Sequence, residues 1–170
     1  DRGTFTTDMD IYLSRFEYPR IASDVFKLFE YGRIFGCIKQ LYPGLIRAVD
    51  PIIDDTKDER PNPNTLEVLE QIMEYLARVI YYGKARVAIP EKYEFLINQL
   101  HDYYKNIPSE ESTVYDTAVQ STSAYKYLME VAGSFREEEI DTKSDEKTQV
   151  DGGSMDQQDD QGAMEEDEDG

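Results

Sequence analysis

The sequence has little of the chemistry on which catalytic and metal sites depend. Its 170 residues include one cysteine, one histidine and no tryptophan. The single cysteine, Cys37, excludes an internal disulfide and a cysteine-based zinc site, and it indicates an intracellular, reducing compartment, the cytoplasm or the nucleus. No apolar run is long enough to span a membrane, and no glycine-rich phosphate-binding motif occurs. We therefore expect no membrane span, no metal and no cofactor.

The residues that could still carry catalysis lack suitable neighbours. His101 lies on a predicted helix beside an aspartate, where a solvated or partly packed side chain is the usual outcome. Cys37 lies among apolar residues, which favours a small buried hydrophobe over a reactive thiol. The acidic stretch 54–59 lacks the glycine and the final glutamate of a calcium-binding loop. These absences predict a protein that is not an enzyme.

What the sequence has in quantity is negative charge, and it is unevenly placed. The net charge is −18; residues 1–135 hold 21 acids and 15 bases, whereas residues 136–170 hold 15 acids and 3 bases. The C-terminal segment also has few large apolar side chains, so burial cannot offset the entropy lost on ordering. We predict a folded domain over 1–135 and a disordered acidic tail over 136–170. Because the chain begins with Asp1, we expect a processed product or a fragment.

Apolar residues recur at the spacing of one helix face along most of the domain. The predicted helices are a short N-terminal one ending before Pro19, and longer ones over 21–41, 65–82, 91–106 and 113–135. Only the isolated stretch 84–89 is rich in strand-forming residues. The pattern predicts an all-α fold, either a four- or five-helix bundle or stacked helical hairpins.

Local signals predict where several helices begin and end. Thr7 with Asp10, and Asn64 with Glu67, match the capping-box pattern of a helix N-terminus. Gly83 suits the left-handed position that follows many helices.

The segments between the helices are expected to be irregular. The stretch 50–64 contains three prolines and dense charge, so we predict a polar loop, preceded at most by a short turn over 45–49. Residues 84–90 are expected to form an extended connector. Within the second helix, Gly32 and Gly36 lie on one face, where another backbone could approach closely.

Two helices have predicted buried faces. The face expected for 65–82 includes Leu69, Ile72, Leu76 and Val79. The face expected for 113–135 comprises Tyr115, Ala118, Val119, Leu128, Val131 and Ala132.

Two windows without any acid interrupt this acidic chain, and we call them the basic islands. They cover 31–49 and 75–90, and each carries three cations. Tyrosines accompany the second island, and tyrosine is enriched at protein interfaces. The candidate binding residues are Arg33, Lys39, Arg47, Arg78, Tyr81, Tyr82, Lys84 and Arg86.

Several interpretations of the basic islands stay open at this point. They could be ordinary solvated surface, a site for an acidic or phosphorylated partner, or a contact for the chain's own acidic tail. A flexible tail of this length reaches roughly 30 Å, comparable to the diameter of a small domain. Nucleic-acid binding is disfavoured, because the domain and the tail are both negatively charged and would repel a polyanion.

The leading functional hypothesis is a non-enzymatic helical protein-interaction domain, acting as a subunit or adaptor of a larger assembly. In this hypothesis the acidic tail supplies solubility and tunes binding. The alternative is a polyanion-related protein, which would bind nucleic acid through the islands or engage basic proteins such as histones through the tail. A non-catalytic fragment of a larger enzyme comes third. The sequence leaves the oligomeric state open.

Overall fold

The computed structural model describes the backbone of residues 7–107 and 111–150, and the side chains of residues 7–84, 86–107 and 111–133. This part of the chain forms α-helices and two 3₁₀ turns, without any β-strand, which confirms the all-α prediction. The helices are α1 (Asp8–Leu13), α2 (Pro19–Leu41), α3 (Pro43–Asp55), α4 (Val68–Tyr82), α5 (Glu91–Lys105) and α6 (Val114–Val150). The 3₁₀ turns are Pro63–Thr65 and Lys84–Arg86.

One apolar core is shared by α2, α4, α5 and α6. Burying each of its large aliphatic side chains contributes about 1.5–3 kcal/mol. A single core common to four helices is typical of a bundle, whereas stacked hairpins would bury separate interfaces between neighbours. The core residues that are at most 2% exposed include Val25, Phe29, Ile72, Leu76, Val79, Tyr93, Leu96, Ile97, Leu100, Ala124 and Leu128.

The predicted buried face of α4 is confirmed at three of its four positions. Ile72, Leu76 and Val79 are fully buried in the core. Leu69 is only half-buried, because it lies at the edge of the core and lines a surface groove.

Gly32 is where neighbouring helices pack most tightly against α2. A Cβ atom built on Gly32 would lie 2.5 Å from Cε2 of Tyr104 and 2.8 Å from Cγ2 of Ile80. These distances are shorter than van der Waals contact, so only glycine fits without movement. The predicted close approach is therefore real at Gly32, but two side chains rather than a second backbone occupy the space.

Of the two predicted capping boxes, one is confirmed and one is wrong. At α1, the Thr7 hydroxyl accepts a hydrogen bond from the Asp10 backbone N–H (3.2 Å), and the Asp10 carboxylate accepts one from the Thr7 backbone N–H (2.8 Å). The box at Asn64 and Glu67 does not form, because the chain first winds into the Pro63–Thr65 turn. Helix α4 then begins after Glu67, whose side chain makes no capping bond.

The prediction of a polar loop over 50–64 is wrong in its first part, because α3 runs through Asp55. Pro43 lies in the first turn of α3, where a missing backbone N–H costs nothing. Pro51 lies inside the helix and removes one backbone hydrogen bond, yet the helix continues past it. The prolines favour a loop, but apolar residues continue at helical spacing from Leu45 to Ile53 on both sides of Pro51, which favours the helix that forms.

The connector after α4 is also more regular than expected. Gly83 at the end of α4 has a positive φ of +86°, as predicted, but its ψ of 142° lies outside the left-handed helical conformation. The chain then makes the 3₁₀ turn Lys84–Arg86 before it becomes extended, so the prediction of a fully extended segment over 84–90 is wrong in its first half.

The buried face predicted for the last helix is partly wrong, since Tyr115 and Val119 are 72% and 44% exposed. In their place α6 turns two small polar residues inward, Thr117 and Ser121. Their hydroxyls are hydrogen-bonded across the bundle, Thr117 to Glu30 on α2 and Ser121 to Tyr12 on α1. Hydrogen bonding removes the cost of burying these hydroxyls, which hydrophobic spacing alone does not anticipate.

Helix α6 also extends well beyond the predicted end at Phe135, to Val150. The added stretch contains neither proline nor glycine and is rich in glutamate and lysine, which favour helix without apolar contacts. The chain divides into two units, Asp1–Arg136 and Glu137–Gly170. The predicted disorder of 136–170 stays a prediction, and residues 151–170 lie outside the described part of the chain.

Candidate interaction surface

A cluster of two arginines around one glutamate connects α4 to the segment that follows α3. Glu74 is only 6% exposed. Arg60 donates from Nε and Nη2 to its two carboxylate oxygens (2.7 and 2.6 Å), and Arg78 donates from Nε to one of them (2.8 Å). Arg78 also donates to the backbone carbonyl of Pro61 (2.9 Å). The cluster therefore fixes the position of the segment around Arg60 against α4.

The carboxylate of this cluster is ionised at neutral pH. Burial would raise the pKa of Glu74, but hydrogen bonds from Arg60 and Arg78 outweigh it and leave that pKa below its ordinary value. The hydrogen bond to Glu74 also raises the pKa of Arg60. Because two guanidinium groups share one carboxylate, the cluster carries one net positive charge.

An aromatic cleft of about 450 Å³ lies beside this cluster, between α2, α3 and the end of α4. Three of its rings are each contacted by a cation. The distance to the ring centroid is 4.6 Å from Lys39 Nζ to Phe35, 5.0 Å from Lys57 Nζ to Tyr82, and 5.5 Å from Arg60 Cζ to Tyr81. Such cation–π contacts favour an ordered aromatic wall with a basic rim. We call this cavity the aromatic cleft; it is lined by Tyr31, Phe35, Ile53, Thr56, Arg60, Tyr81 and Tyr82.

A second cavity, of about 540 Å³, lies on the other side of Arg60, between α2 and α4. Its floor is apolar, with Leu28 and Ala77 buried and Leu69 and Met73 half-buried. We call it the α2–α4 groove; it is lined by Arg20, Ile21, Asp24, Leu28, Arg60, Leu66, Leu69, Glu70, Met73, Glu74, Ala77 and Tyr81.

Helix α3 exposes apolar side chains that a folded domain would be expected to cover. None of its residues is buried. Leu45 and Ile52 on α3, with Leu41 and Tyr42 just before it, are between 51% and 62% exposed. We call these four residues the α3 face. Because these exposed apolar residues lie close together in the sequence, we regard α3 and the turn before it as a candidate surface for binding another molecule.

Arg33, a candidate of the first basic island, has a structural role. It donates to Glu30 from Nε and Nη2 (2.9 and 2.6 Å) and to the backbone carbonyl of Ser112 from Nη1 (3.0 Å). Glu30 in turn accepts a 2.6 Å hydrogen bond from Thr117 on α6. The Arg33 hydrogen bond is the main reason that the pKa of Glu30 is lowered. Arg33 therefore connects α2 to α6 and is not available as a binding residue.

Arg78, from the second island, forms an ion pair with Glu74 and is also not available as a binding residue.

Tyr81 and Tyr82 are half-buried and line the aromatic cleft, where the Tyr82 hydroxyl lies 3.1 Å from the Thr56 hydroxyl. The structure thus brings these two tyrosines together with Tyr31 and Phe35 from the first island.

The remaining candidate cations are exposed. Arg86 forms an ion pair with Asp54 (3.2 Å), in which both side chains are about half exposed or more. Lys39 contacts the Phe35 ring. Arg47 and Lys84 form no ion pair with the residues that the structure describes. The islands therefore contribute four exposed cations, of which Arg86 is paired with Asp54.

The acid-free windows concealed these ion pairs because of where the windows begin. Each begins one residue after the acid that pairs with its first arginine: Glu30 precedes the first window and Glu74 the second. The pairs are spaced i,i+3 and i,i+4, as neighbours on one helix face are. Checking the preceding turn would have found both pairs. Arg60 was missed for another reason, since its contact with Glu74 spans 14 residues and no helix connects the two.

The lone histidine and cysteine contribute to packing. His101 is half-buried and stacks on Tyr104, with ring centroids 5.8 Å apart. Burial lowers the pKa of His101, followed in importance by the nearby Lys105. Cys37 is half-buried on α2. The Cys37 side chain interacts with the guanidinium of Arg33, one turn earlier on the same helix.

Among the described residues, no three His, Cys, Asp or Glu side chains are grouped so that they could hold a metal ion. No helix in that same part of the chain is both long and apolar enough to cross a bilayer. No protein-family model, curated protein or solved structure matches the chain. Function therefore has to be inferred from the residues and their geometry.

Proposed function

We propose that this chain is a non-enzymatic helical protein-interaction domain, a subunit or adaptor of a larger assembly in the cytoplasm or nucleus. The observation that carries the proposal is the α3 face. A helix of 13 residues, none of them buried, contributes little to its own domain's core. Its exposed apolar side chains are instead suited to a partner that covers them.

The surroundings of the α3 face support a protein partner with acidic character. Leu41, Tyr42 and Leu45 lie in the acid-free window 31–49, with the exposed Lys39 before them and the exposed Arg47 within α3, whereas Ile52 lies beyond the window, between Asp50 and Asp54. Apolar residues at the centre of a surface and charges at its rim are the usual arrangement of a protein interface. The acidic segment 136–170 would keep the domain soluble and repel polyanions.

The experiment is affinity purification of the tagged full chain from its natural host cells. The test variant carries Leu45→Asp and Ile52→Asp, both in exposed positions where the fold tolerates charge. The matched control is Phe95→Asp, because Phe95 on α5 is 70% exposed and lies outside the α3 face. We expect proteins retained by the wild type and the control to be lost from the test variant. Equal retention by all three chains would refute the α3 face as the binding surface.

Polyanion binding is the second candidate. Exposed Lys39, Arg47 and Lys84 favour it, whereas the internal ion pairs of Arg33 and Arg78 remove two of the six cations that it would use. A single-stranded oligonucleotide titrated against the chain at low salt, with fluorescence anisotropy as the readout, separates the candidates. Tight binding that Lys39→Glu with Arg47→Glu abolishes would favour the polyanion function.

A further inference from the structure

The aromatic cleft and the α2–α4 groove follow one another along α2 and α4, and Ile53 and Thr56 at the end of α3 close one side of the cleft. We call the two cavities together the furrow. The α2 wall repeats every three or four residues, as does the α4 wall. The α2 wall consists of Ile21, Asp24, Leu28, Tyr31 and Phe35, and the α4 wall of Leu69, Met73, Ala77 and Tyr81.

The length of the furrow suits a helix. Ile21 and Phe35 are 14 residues apart on α2, which corresponds to about 21 Å at the helical rise of 1.5 Å per residue. A partner helix of four turns spans the same distance. A groove between two helices, lined by apolar side chains at three- and four-residue spacing, is how amphipathic helices are recognised in other systems.

Arg60 lies between the two cavities of the furrow. Arg60 and Tyr81 line both cavities, and the guanidinium lies over the Tyr81 ring, so the two side chains form a common wall. Nε and Nη2 of Arg60 are used by Glu74, whereas its Nη1 has no partner among the described residues. This leaves donors, and the net positive charge of the cluster, available near the middle of the furrow.

We propose that the furrow binds one amphipathic helix of a partner protein, whose central carboxylate pairs with Arg60. Large apolar residues about one turn to either side of that carboxylate fill the aromatic cleft and the α2–α4 groove. The proposal rests on the proposed interaction function and adds the chemistry of the partner. The charge of the Arg60 cluster is complementary to the carboxylate, and the apolar floor on each side is complementary to its neighbours on the helix.

Other occupants fit the furrow less well. The segment 151–170 of this chain is acidic, but Met155 and Met164 are its only large apolar residues. Two such side chains are too few to fill both cavities. A nucleic acid would bring a row of phosphates along the whole furrow, including against Asp24 and Glu70, whereas the partner helix has a single carboxylate and places it at Arg60. If a second copy of the chain occupied the furrow, substitutions in the furrow would change the oligomeric state of the chain.

The test begins with a display library of helices, about 14 residues long, on an alanine–lysine scaffold with one face randomised. The full chain is the target. We expect enriched helices to carry an acid at the centre of the randomised face, with large apolar residues three or four positions away on both sides. Replacing that acid by its amide should weaken binding roughly tenfold, as the loss of a charge-assisted hydrogen bond does. No enrichment, or enriched helices without a central acid, would overturn the proposal.

Two variants of the chain locate the binding. Met73→Glu places a charge on the furrow floor and should weaken binding of the enriched helix by more than tenfold, whereas Phe95→Asp should not change it. Circular dichroism must show both variants folded; if Met73→Glu is not, Ala77→Ser serves as a milder change in the same floor and should weaken binding severalfold. Binding of the enriched helix that survives both floor variants overturns the proposal. If the chain itself forms a dimer and the enriched helix does not dissociate it, the proposal is also overturned.

The outcome is separable from that of the α3-face experiment. If the library test succeeds and the α3 variants retain every partner, the α3 face is refuted and the furrow stands. If the α3 variants lose their partners and the library test fails, the furrow is refuted and the interaction function stands.

Discussion

Glu74→Gln is the most informative single perturbation of the fold, because it removes one charge and leaves two arginines facing a neutral amide. Glu74 is almost fully buried and accepts three hydrogen bonds from Arg60 and Arg78. Glutamine has nearly the same shape but presents an amide that repels one of the donors. The substitution therefore tests the ion cluster with little change in packing volume.

The expected magnitude follows from burial. Breaking a fully buried ion pair by removing one partner costs about 3–5 kcal/mol. Here the side chains of Arg60 and Arg78 are each 26% exposed, so water can partly solvate their charges after the carboxylate is lost. We therefore expect Glu74→Gln to lower the free energy of unfolding by about 2–3 kcal/mol at pH 7.

The same variant should show a defined pH dependence. The folded-state pKa of Glu74 is lowered from 4.5, so its stabilisation is complete above that value and is lost as the pH falls through the folded-state pKa. The other carboxylates are the same in the wild type and the variant, so their effects cancel in the difference between the two free energies of unfolding. The gap in stability between wild type and variant should therefore narrow as the pH falls below 4.5.

The assay is urea unfolding followed by circular dichroism, at pH 7 and at successively lower pH. The matched control is Glu70→Gln, an exposed position one turn earlier on α4, which should change stability by less than about 0.5 kcal/mol. A Glu74→Gln variant as stable as the wild type at pH 7 would refute the role of the cluster. A gap that stays constant as the pH falls would show that the loss comes from packing and not from charge.

Three further predictions concern packing and domain extent. Leu76→Ala should lower the free energy of unfolding by about 2–5 kcal/mol, measured by urea unfolding, because Leu76 is fully buried; an unchanged value would show that the α4 face is not core. Gly32→Ala should lower it by about 1–3 kcal/mol despite alanine's better helix propensity, since the added methyl collides with Tyr104 and Ile80; a rise in stability would refute that close packing. Limited proteolysis should trim residues 136–170 first, and a protected fragment reaching past residue 150 would contradict the predicted tail.

Much of the fold could be predicted because hydrophobic spacing decides which helix face is buried when the helix lies in the core. Helix α4 shows this, with Ile72, Leu76 and Val79 buried as expected. Helix α3 shows the limit. Its prolines and charges indicate a loop, and its apolar spacing indicates a helix, which is the conformation that α3 adopts beside α2.

The candidate site was predictable only in its aromatic part. Tyr81 and Tyr82 were identified from composition, and they do line the aromatic cleft. Two arginines of the islands, Arg33 and Arg78, are paired with acids that lie just outside the windows, and a count of charges within a window does not include those acids. Arg60 could not be found from sequence, since its position depends on how the chain after α3 folds back onto α4.

The most direct test of the interaction function is hydrogen exchange of the chain alone and in complex with the protein that co-purifies with it. A partner that covers the α3 face and the furrow should slow exchange in α2 (Pro19–Leu41), α3 (Pro43–Asp55) and α4 (Val68–Tyr82). The backbone of α5 (Glu91–Lys105) should be unaffected. Slower exchange confined to α5, with α2 and α3 unchanged, would contradict the proposed interaction surface.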